Sequence, residues 1–181
     1  MIAGLIPHRY AKALFKFASE HDNAEKVYEE MKRVISAFSS NPSLDKVMSN
    51  PYIVEEDKEK LLLSAVGSDP SDDYRRFVKL ILEHKRESFA YLMALAYREI
   101  YRVRNNISQV KIQTAAQLPE KEMDRLKNLV SSKFPDSKLE YTIAVNPDLI
   151  GGFVIDVDSA RMDASVKGEL EQLRQNLLSV N

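Results

Sequence analysis

The sequence predicts an α+β protein in two parts: an N-terminal six-helix bundle over residues 1–105 and a small βαββα C-terminal domain over residues 106–181. Three observations carry this reading. Apolar residues recur at helical spacing in six short segments before residue 105. After Asn105-Asn106 the period changes to two, with Val110, Ile112 and Thr114 separated by polar residues. Helical spacing then returns twice, over residues 119–134 and after Asp163.

The first helix is expected over residues 9–20, with Pro7 suited to its first turn. Asp22 or Asn23 supplies a cap for a second, where Val27, Met31, Val34, Ile35 and Phe38 follow helical spacing. Asn41-Pro42 ends it. A short third helix over 43–49 stops at Asn50-Pro51, because a residue before proline avoids the helical region. The fourth, over 55–66, has an acidic first turn followed by Lys58 and Lys60, and Gly67 ends it. Ser71 or Asp72 caps a fifth over 73–84. The sixth carries Phe89, Leu92, Met93, Ala96, Tyr97, Ile100 and Tyr101 as one narrow stripe, fit for a single core. Six helices with short links imply a bundle.

Beyond the boundary, placed near residues 104–107, Met123, Leu126, Val130 and Phe134 mark a helix. Leu139, Tyr141, Ile143 and Val145 mark a second strand, and Phe153, Ile155 and Val157 a third. The first crossover should join parallel strands. The connection over 146–152 is short enough for a wide hairpin. Asp163 is expected to cap the last helix, whose Val166, Leu170, Leu173 and Leu177 either lie against the sheet or present a stripe to a partner.

Composition narrows the function. Net charge is −1, and the two parts carry 17 Lys+Arg against 16 Asp+Glu and 9 against 11, so neither is basic enough to capture nucleic acid by charge. The absence of cysteine excludes disulfide, iron–sulfur and thiolate-zinc chemistry. Residues 1–7 form a short apolar patch without the cationic start of a signal peptide, and no apolar run approaches the roughly 20 residues needed to span a bilayer. Membrane association is therefore expected only through a partner.

Catalytic and cofactor signals are missing. His8, His21 and His84 lack metal-ligand spacing, and there is no phosphate-loop or dinucleotide motif, so no cofactor and no metal are expected. Gly151-Gly152 precedes a strand rather than a helix and reads as turn or bulge geometry. Asp156 and Asp158 read as a solvated strand face. Arg75, Arg76, Lys79, Lys85 and Arg86 cluster, but Asp72, Asp73, Glu83 and Glu87 dilute them, so this too reads as a solvated face.

Two helices are apolar over too wide an arc. On the first, Tyr10, Ala13, Leu14 and Phe17 form one stripe and Ala11, Phe15 and Ala18 another. On the fifth, Phe77, Leu80 and Ile81 share an arc, with Val78 and Leu82 beside it. Such a helix is either central in the bundle or half-committed to something outside it, such as an amphipathic helix from a partner.

The same residues carry a family resemblance. Arg9-Tyr10-Ala11-Lys12-Ala13-Leu14-Phe15 resembles the opening motif of the delta subunit of bacterial ATP synthase, itself similar to the mitochondrial oligomycin-sensitivity-conferring subunit. Asn50-Pro51-Tyr52-Ile53 with Lys58 resembles that family's bend before a Lys-bearing helix. Glu83-His84-Lys85-Arg86 stands where the family usually has Glu-Asn-Gly-Arg, with Lys85 in place of glycine. The stretch from Pro147 to Leu170 resembles the family's C-terminal signature, with Met162 and Ala164 for the usual Ile and Gly.

The resemblance implies a non-catalytic stator subunit of proton-translocating ATP synthase, linking the alpha/beta catalytic head to the peripheral stalk so that rotation is coupled to ATP synthesis. It implies that the N-terminal helix of an alpha subunit enters a groove between helices one and five, which places Tyr10, Ala13, Leu14, Phe17, Phe77, Leu80 and Ile81 at the contact, with Tyr10, Phe17 and Phe77 as anchors. It implies that the C-terminal domain meets the C-terminal end of the stalk's b subunit, and that the protein sits peripherally on the cytoplasmic face of the bacterial inner membrane. The alternative is a nucleic-acid-binding adaptor using the basic cluster at 75–86. A third class, an enzyme, lacks any visible acid–base pair.

Overall fold

The computed structural model describes residues 4–179. It divides into two compact units, Met1–Arg104 and Asn105–Asn181.

The first unit contains α1 (Leu5–Glu20), α2 (Ala24–Ser40), α3 (Ser43–Ser49), α4 (Glu55–Ser64), α5 (Asp72–Glu83), a 3-10 turn (Glu87–Phe89) and α6 (Ala90–Arg104). Of the N-terminal apolar patch, residues 1–3 lie outside the described residues. α1 begins four residues earlier than predicted, because Pro7 in the first turn lacks only an N–H that would have no helical partner there. α6 packs on both α1 and α2. Its buried arc adds Ala90 and Ala94 to Met93, Ala96, Tyr97 and Tyr101, so it is wider than the expected stripe; alanine leaves little pattern in the sequence yet lets helices approach closely.

Buried polar joints tie the helices together. Both carboxylate oxygens of Glu30 on α2 accept from Ser71, one from its backbone N–H at 2.6 Å and one from its hydroxyl at 2.7 Å. Ser71 Oγ in turn accepts from the Tyr74 N–H and caps α5, so of the two candidate caps Ser71 serves. The hydroxyl of Tyr74 donates to the Leu62 carbonyl, and that of Tyr97 to Ala24. Burial, reinforced by the charge of Glu30, raises the Tyr74 phenol well above its ordinary range. Lys58 is buried and pairs with Glu87 at 2.7 Å.

The caps of α2 differ from expectation. Neither Asp22 nor Asn23 caps it with a side chain. Asp22 takes a left-handed φ of 55° and closes α1 instead, while the Asn23 amide donates to Asp73 Oδ2 at 3.0 Å.

The second unit contains β1 (Ile107–Thr114), α7 (Glu120–Lys133), β2 (Lys138–Val145), a 3-10 turn (Pro147–Leu149), β3 (Gly152–Val157), β4 (Ala160–Ser165) and α8 (Val166–Ser179). The sheet order is β2-β1-β3-β4, with β1 and β2 parallel and the other pairs antiparallel. Two expectations are corrected. The layout is βαβββα, because β4 is an additional strand; it is exposed along five of its six residues, so no alternation marks it in the sequence. β2 and β3 are not a hairpin, because β1 lies between them. Val110 and Ile112, on the inward face of β1, are almost fully buried, as befits a strand paired on both edges. They form a core with Met123, Val130, Ile155 and Val157.

The glycine pair works by steric permission. A Cβ on Gly152, whose φ is +73°, would lie 2.0 Å from the Ala164 carbonyl oxygen, and one on Gly151 would lie 2.8 Å from Val166 Cγ2. Only glycine lets β3 start this close to β4. Asp163 is not the cap of α8. It lies in β4, and its Oδ1 accepts from the Ser165 N–H at 3.0 Å and hydroxyl at 2.6 Å. Ser165 Oγ then accepts from the Gly168 N–H and performs the capping. The hydrogen bonds from Ser165 hold the Asp163 carboxyl below its usual range.

Of the two readings of the last helix, burial against the sheet fails. Leu170, Leu173, Leu177 and Leu178 are 53%, 56%, 66% and 67% exposed, so the stripe is not buried against the sheet. α8 meets β4 and the turn Pro147–Leu149. Of its described residues only Gly168, near the start, is half-buried, and among the described residues nothing covers the leucine face.

Candidate helix-binding groove

α1 and α5 line a surface groove of about 370 Å³. Each contributes residues at i, i+3, i+4 and i+7: Tyr10, Ala13, Leu14 and Phe17 from one side, Asp73, Arg76, Phe77 and Leu80 from the other. That spacing puts four side chains of each helix on one face, so two matched walls result. Leu14 and Phe77 are buried, Tyr10 and Phe17 are half-buried, and Leu80 is 40% exposed.

The polar groups of the groove fix the aromatic ones. The Tyr10 hydroxyl and His84 Nδ1 are 2.8 Å apart, with the two rings edge to face. The Arg76 guanidinium lies 5.9 Å from the centre of the Phe17 ring, within cation–π range, and His21 packs on the same ring at 4.4 Å. Asp73 is buried and held by Asn23. The two half-buried aromatic side chains of the groove, Tyr10 and Phe17, are therefore held before a partner arrives.

Both helices stop in the same way. At the end of α1, the Asn23 N–H donates to Ala18 and the Asp22 N–H to Ser19; at the end of α5, the Arg86 N–H donates to Ile81 and the Lys85 N–H to Leu82. Each is a paired closure around one left-handed residue, Asp22 at φ 55° and Lys85 at φ 54°. Lys85 thus adopts the turn that glycine makes more easily.

The groove brings together six of the seven predicted contact residues. Ile81 is separate: it is 1% exposed and belongs to the core. One residue beyond Leu80 is a rotation of about 100° on a helix, enough to turn it from the groove to the interior. Sequence reasoning missed Asp73, Arg76 and His84. In the sequence Arg76 belongs to a basic cluster that reads as a solvated face, and the signal that separates it is its position three residues after Asp73 and four before Leu80, on the groove face. Of the other cluster members, Arg75 donates to the Pro70 carbonyl. Among the described residues, no three metal-ligating side chains converge. The groove holds apolar surface with a few orienting polar groups, an arrangement for binding.

The family model of the ATP synthase delta (OSCP) subunit matches residues 6–177. The chain belongs to this family. It is 36% identical over 182 residues to the ATP synthase subunit delta of Phocaeicola vulgatus, a match covering 100% of this chain and 98% of the relative. It is 35% identical over 178 residues to that of Parabacteroides distasonis, covering 98% of each. A chain of the Toxoplasma gondii mitochondrial ATP synthase hexamer, solved by cryo-EM, has the same fold: the TM-score is 0.73 at 20% identity, over 97% of this chain and 98% of that one.

As a delta/OSCP family member, the protein is a non-catalytic stator subunit of the rotary ATP synthase, and its partners are other subunits of that membrane-associated complex. Among the described residues no helix is long and apolar enough to cross a membrane. Family membership leaves the nucleic-acid adaptor reading without support.

Proposed function

We propose that the groove between α1 and α5 receives the amphipathic N-terminal helix of an alpha subunit, and that the C-terminal unit carries the C-terminal end of the b subunit. The protein then ties the catalytic head to the peripheral stalk at the cytoplasmic face of the bacterial inner membrane and resists rotation of the head. The observation that carries this reading is the pair of matched i, i+3, i+4, i+7 walls. A partner helix with the same spacing fits between them. A stator contact has to dissociate slowly, and a helix burying roughly 600–800 Å² per partner on preorganised aromatic anchors reaches nanomolar affinity. For the b subunit, the support is the open leucine face of α8.

The test is calorimetric titration of the full-length protein with a peptide of the cognate alpha subunit's first roughly 20 residues. Submicromolar binding is expected, weakened at least tenfold by Tyr10→Asp and by Leu80→Asp. No binding at micromolar concentration, or binding indifferent to both changes, removes the groove assignment. Deleting residues 166–181 should spare the peptide and abolish capture of the b subunit; loss of both would show that the two contacts are not independent.

A further inference from the structure

α1 has a second open face. With α6 it lines another surface groove, of about 820 Å³, within the range of ligand-binding sites. Its apolar lining is Ala13 and Phe15 from α1 with Ile100 and Val103 from α6. Val103 is 77% exposed. The lining runs along α1 from His8 to Glu20, twelve residues or about 18 Å of helix axis, which is the length of three to four helical turns. An elongated floor of this length suits a helix better than a compact small molecule.

The charge of the rim differs from that of the first groove. The α1/α5 groove is lined by a single acid, Asp73, and a single base, Arg76, both from α5. Between α1 and α6 the rim carries Arg9, Lys12, Lys16 and Arg104 against Glu20 and Glu99. Lys16 and Glu20 are 4.0 Å apart and partly neutralise each other, which leaves a surplus of positive charge. Arg9, Lys12, Lys16 and Arg104 are all exposed.

We propose that the groove along α1 and α6 is a second docking site, and that its occupant is an acidic amphipathic helix whose apolar stripe covers Phe15, Ile100 and Val103 while flanking carboxylates meet Arg9, Lys12 and Arg104. Ala13 lines both grooves, so α1 is a shared wall and the two sites address partners of different charge. The site stands apart from the assignment of the α1/α5 groove and does not depend on it.

The experiment uses the full-length protein and three probes: a synthetic 18-residue helix with a leucine stripe flanked by glutamates, the same stripe flanked by lysines, and vesicles containing anionic phospholipid. The acidic helix should bind, lose about tenfold in affinity with Lys12→Glu combined with Arg104→Glu, lose affinity with Val103→Asp, weaken with added salt, and remain unaffected by Leu80→Asp. These positions are exposed, and an unchanged unfolding midpoint confirms that each variant is folded. Equal binding of the lysine-flanked helix overturns the charge assignment. Loss of the acidic helix on Leu80→Asp places it in the other groove and overturns the site. Binding of vesicles with none of either helix overturns the protein partner in favour of a lipid surface.

Discussion

The two units both leave apolar surface open, but in opposite shapes. In the first, α1 and α5 stand side by side, and the floor of Leu14 and Phe77 is sunk between them while Tyr10 and Phe17 are fixed by His84 and Arg76. In the second, the leucines of α8 lie on a convex face with no neighbouring wall. A concave site restrains its contact side chains in advance and loses little entropy on binding, whereas a convex stripe leaves its partner to supply the enclosure. The difference teaches that the groove belongs to the packing of its unit, while the α8 stripe is nearly separate from it. Substitutions in the two places should therefore behave differently.

The largest effects belong to residues packed on both sides. Ile81→Ala should destabilise the first unit by about 2–5 kcal/mol through the cavity left in its core. Gly152→Ala should cost the second about 3 kcal/mol or more, because the new Cβ meets the Ala164 carbonyl at a left-handed backbone position. Hydrogen exchange should lose protection only in the unit that carries the change; loss across both breaks the comparison.

Next is alkaline pH. Tyr74 has a raised phenol pKa in the folded unit, whereas an unfolded tyrosine titrates near 10. The unfolded state loses its proton first, so the stabilisation is full below about pH 10 and declines above it, by up to about 1.4 kcal/mol per pH unit for this group. Urea midpoints measured between pH 8 and 11 check this, and Tyr74→Phe should flatten the slope. No change of slope would mean that the phenol does not remain buried and protonated.

Smaller still, Lys85→Gly should stabilise the first unit by about 1 kcal/mol, since glycine reaches the left-handed region without a Cβ penalty. A thermal midpoint that falls instead would show that the lysine side chain compensates. Smallest, Leu173→Asp should shift stability by less than about 0.5 kcal/mol, because the leucine is more than half exposed. A large loss would show that α8 is covered after all, and the contrast with the groove would fail.

Much of this was legible in the residues. The period-two alternation of β1, the helical stripes of α2 and α6 and the unusual width of the apolar arcs on α1 and α5 all follow from local spacing, and the family resemblance, not the spacing, points to those arcs as the walls of one groove. Ile81 was misplaced because its apolar character is the same on either side of a helix; a rotation of about 100° decides the side, and only the neighbours decide which side is inside. β4 went unread because Arg161, Met162, Asp163 and Ala164 are all exposed, and an edge strand of polar and small residues leaves no period. Asp163 has the residue type of a cap, but its carboxylate acts through Ser165, two residues later, whose hydroxyl makes the capping bond.

By itself the sequence determined where the chain is helical, where three of its four described strands lie, that it lacks catalytic and metal-binding motifs, and which family it resembles. These are local properties, set by side-chain periodicity, caps and turns within a few residues. The tertiary structure decided that β1 separates β2 from β3, that α8 keeps its leucines in water, that Arg76 and His84 steady the groove, and that α1 faces two grooves rather than one. Each of these depends on which surfaces meet across tens of residues of chain, and hydrophobic burial, being non-directional, leaves that choice to the packing of the whole.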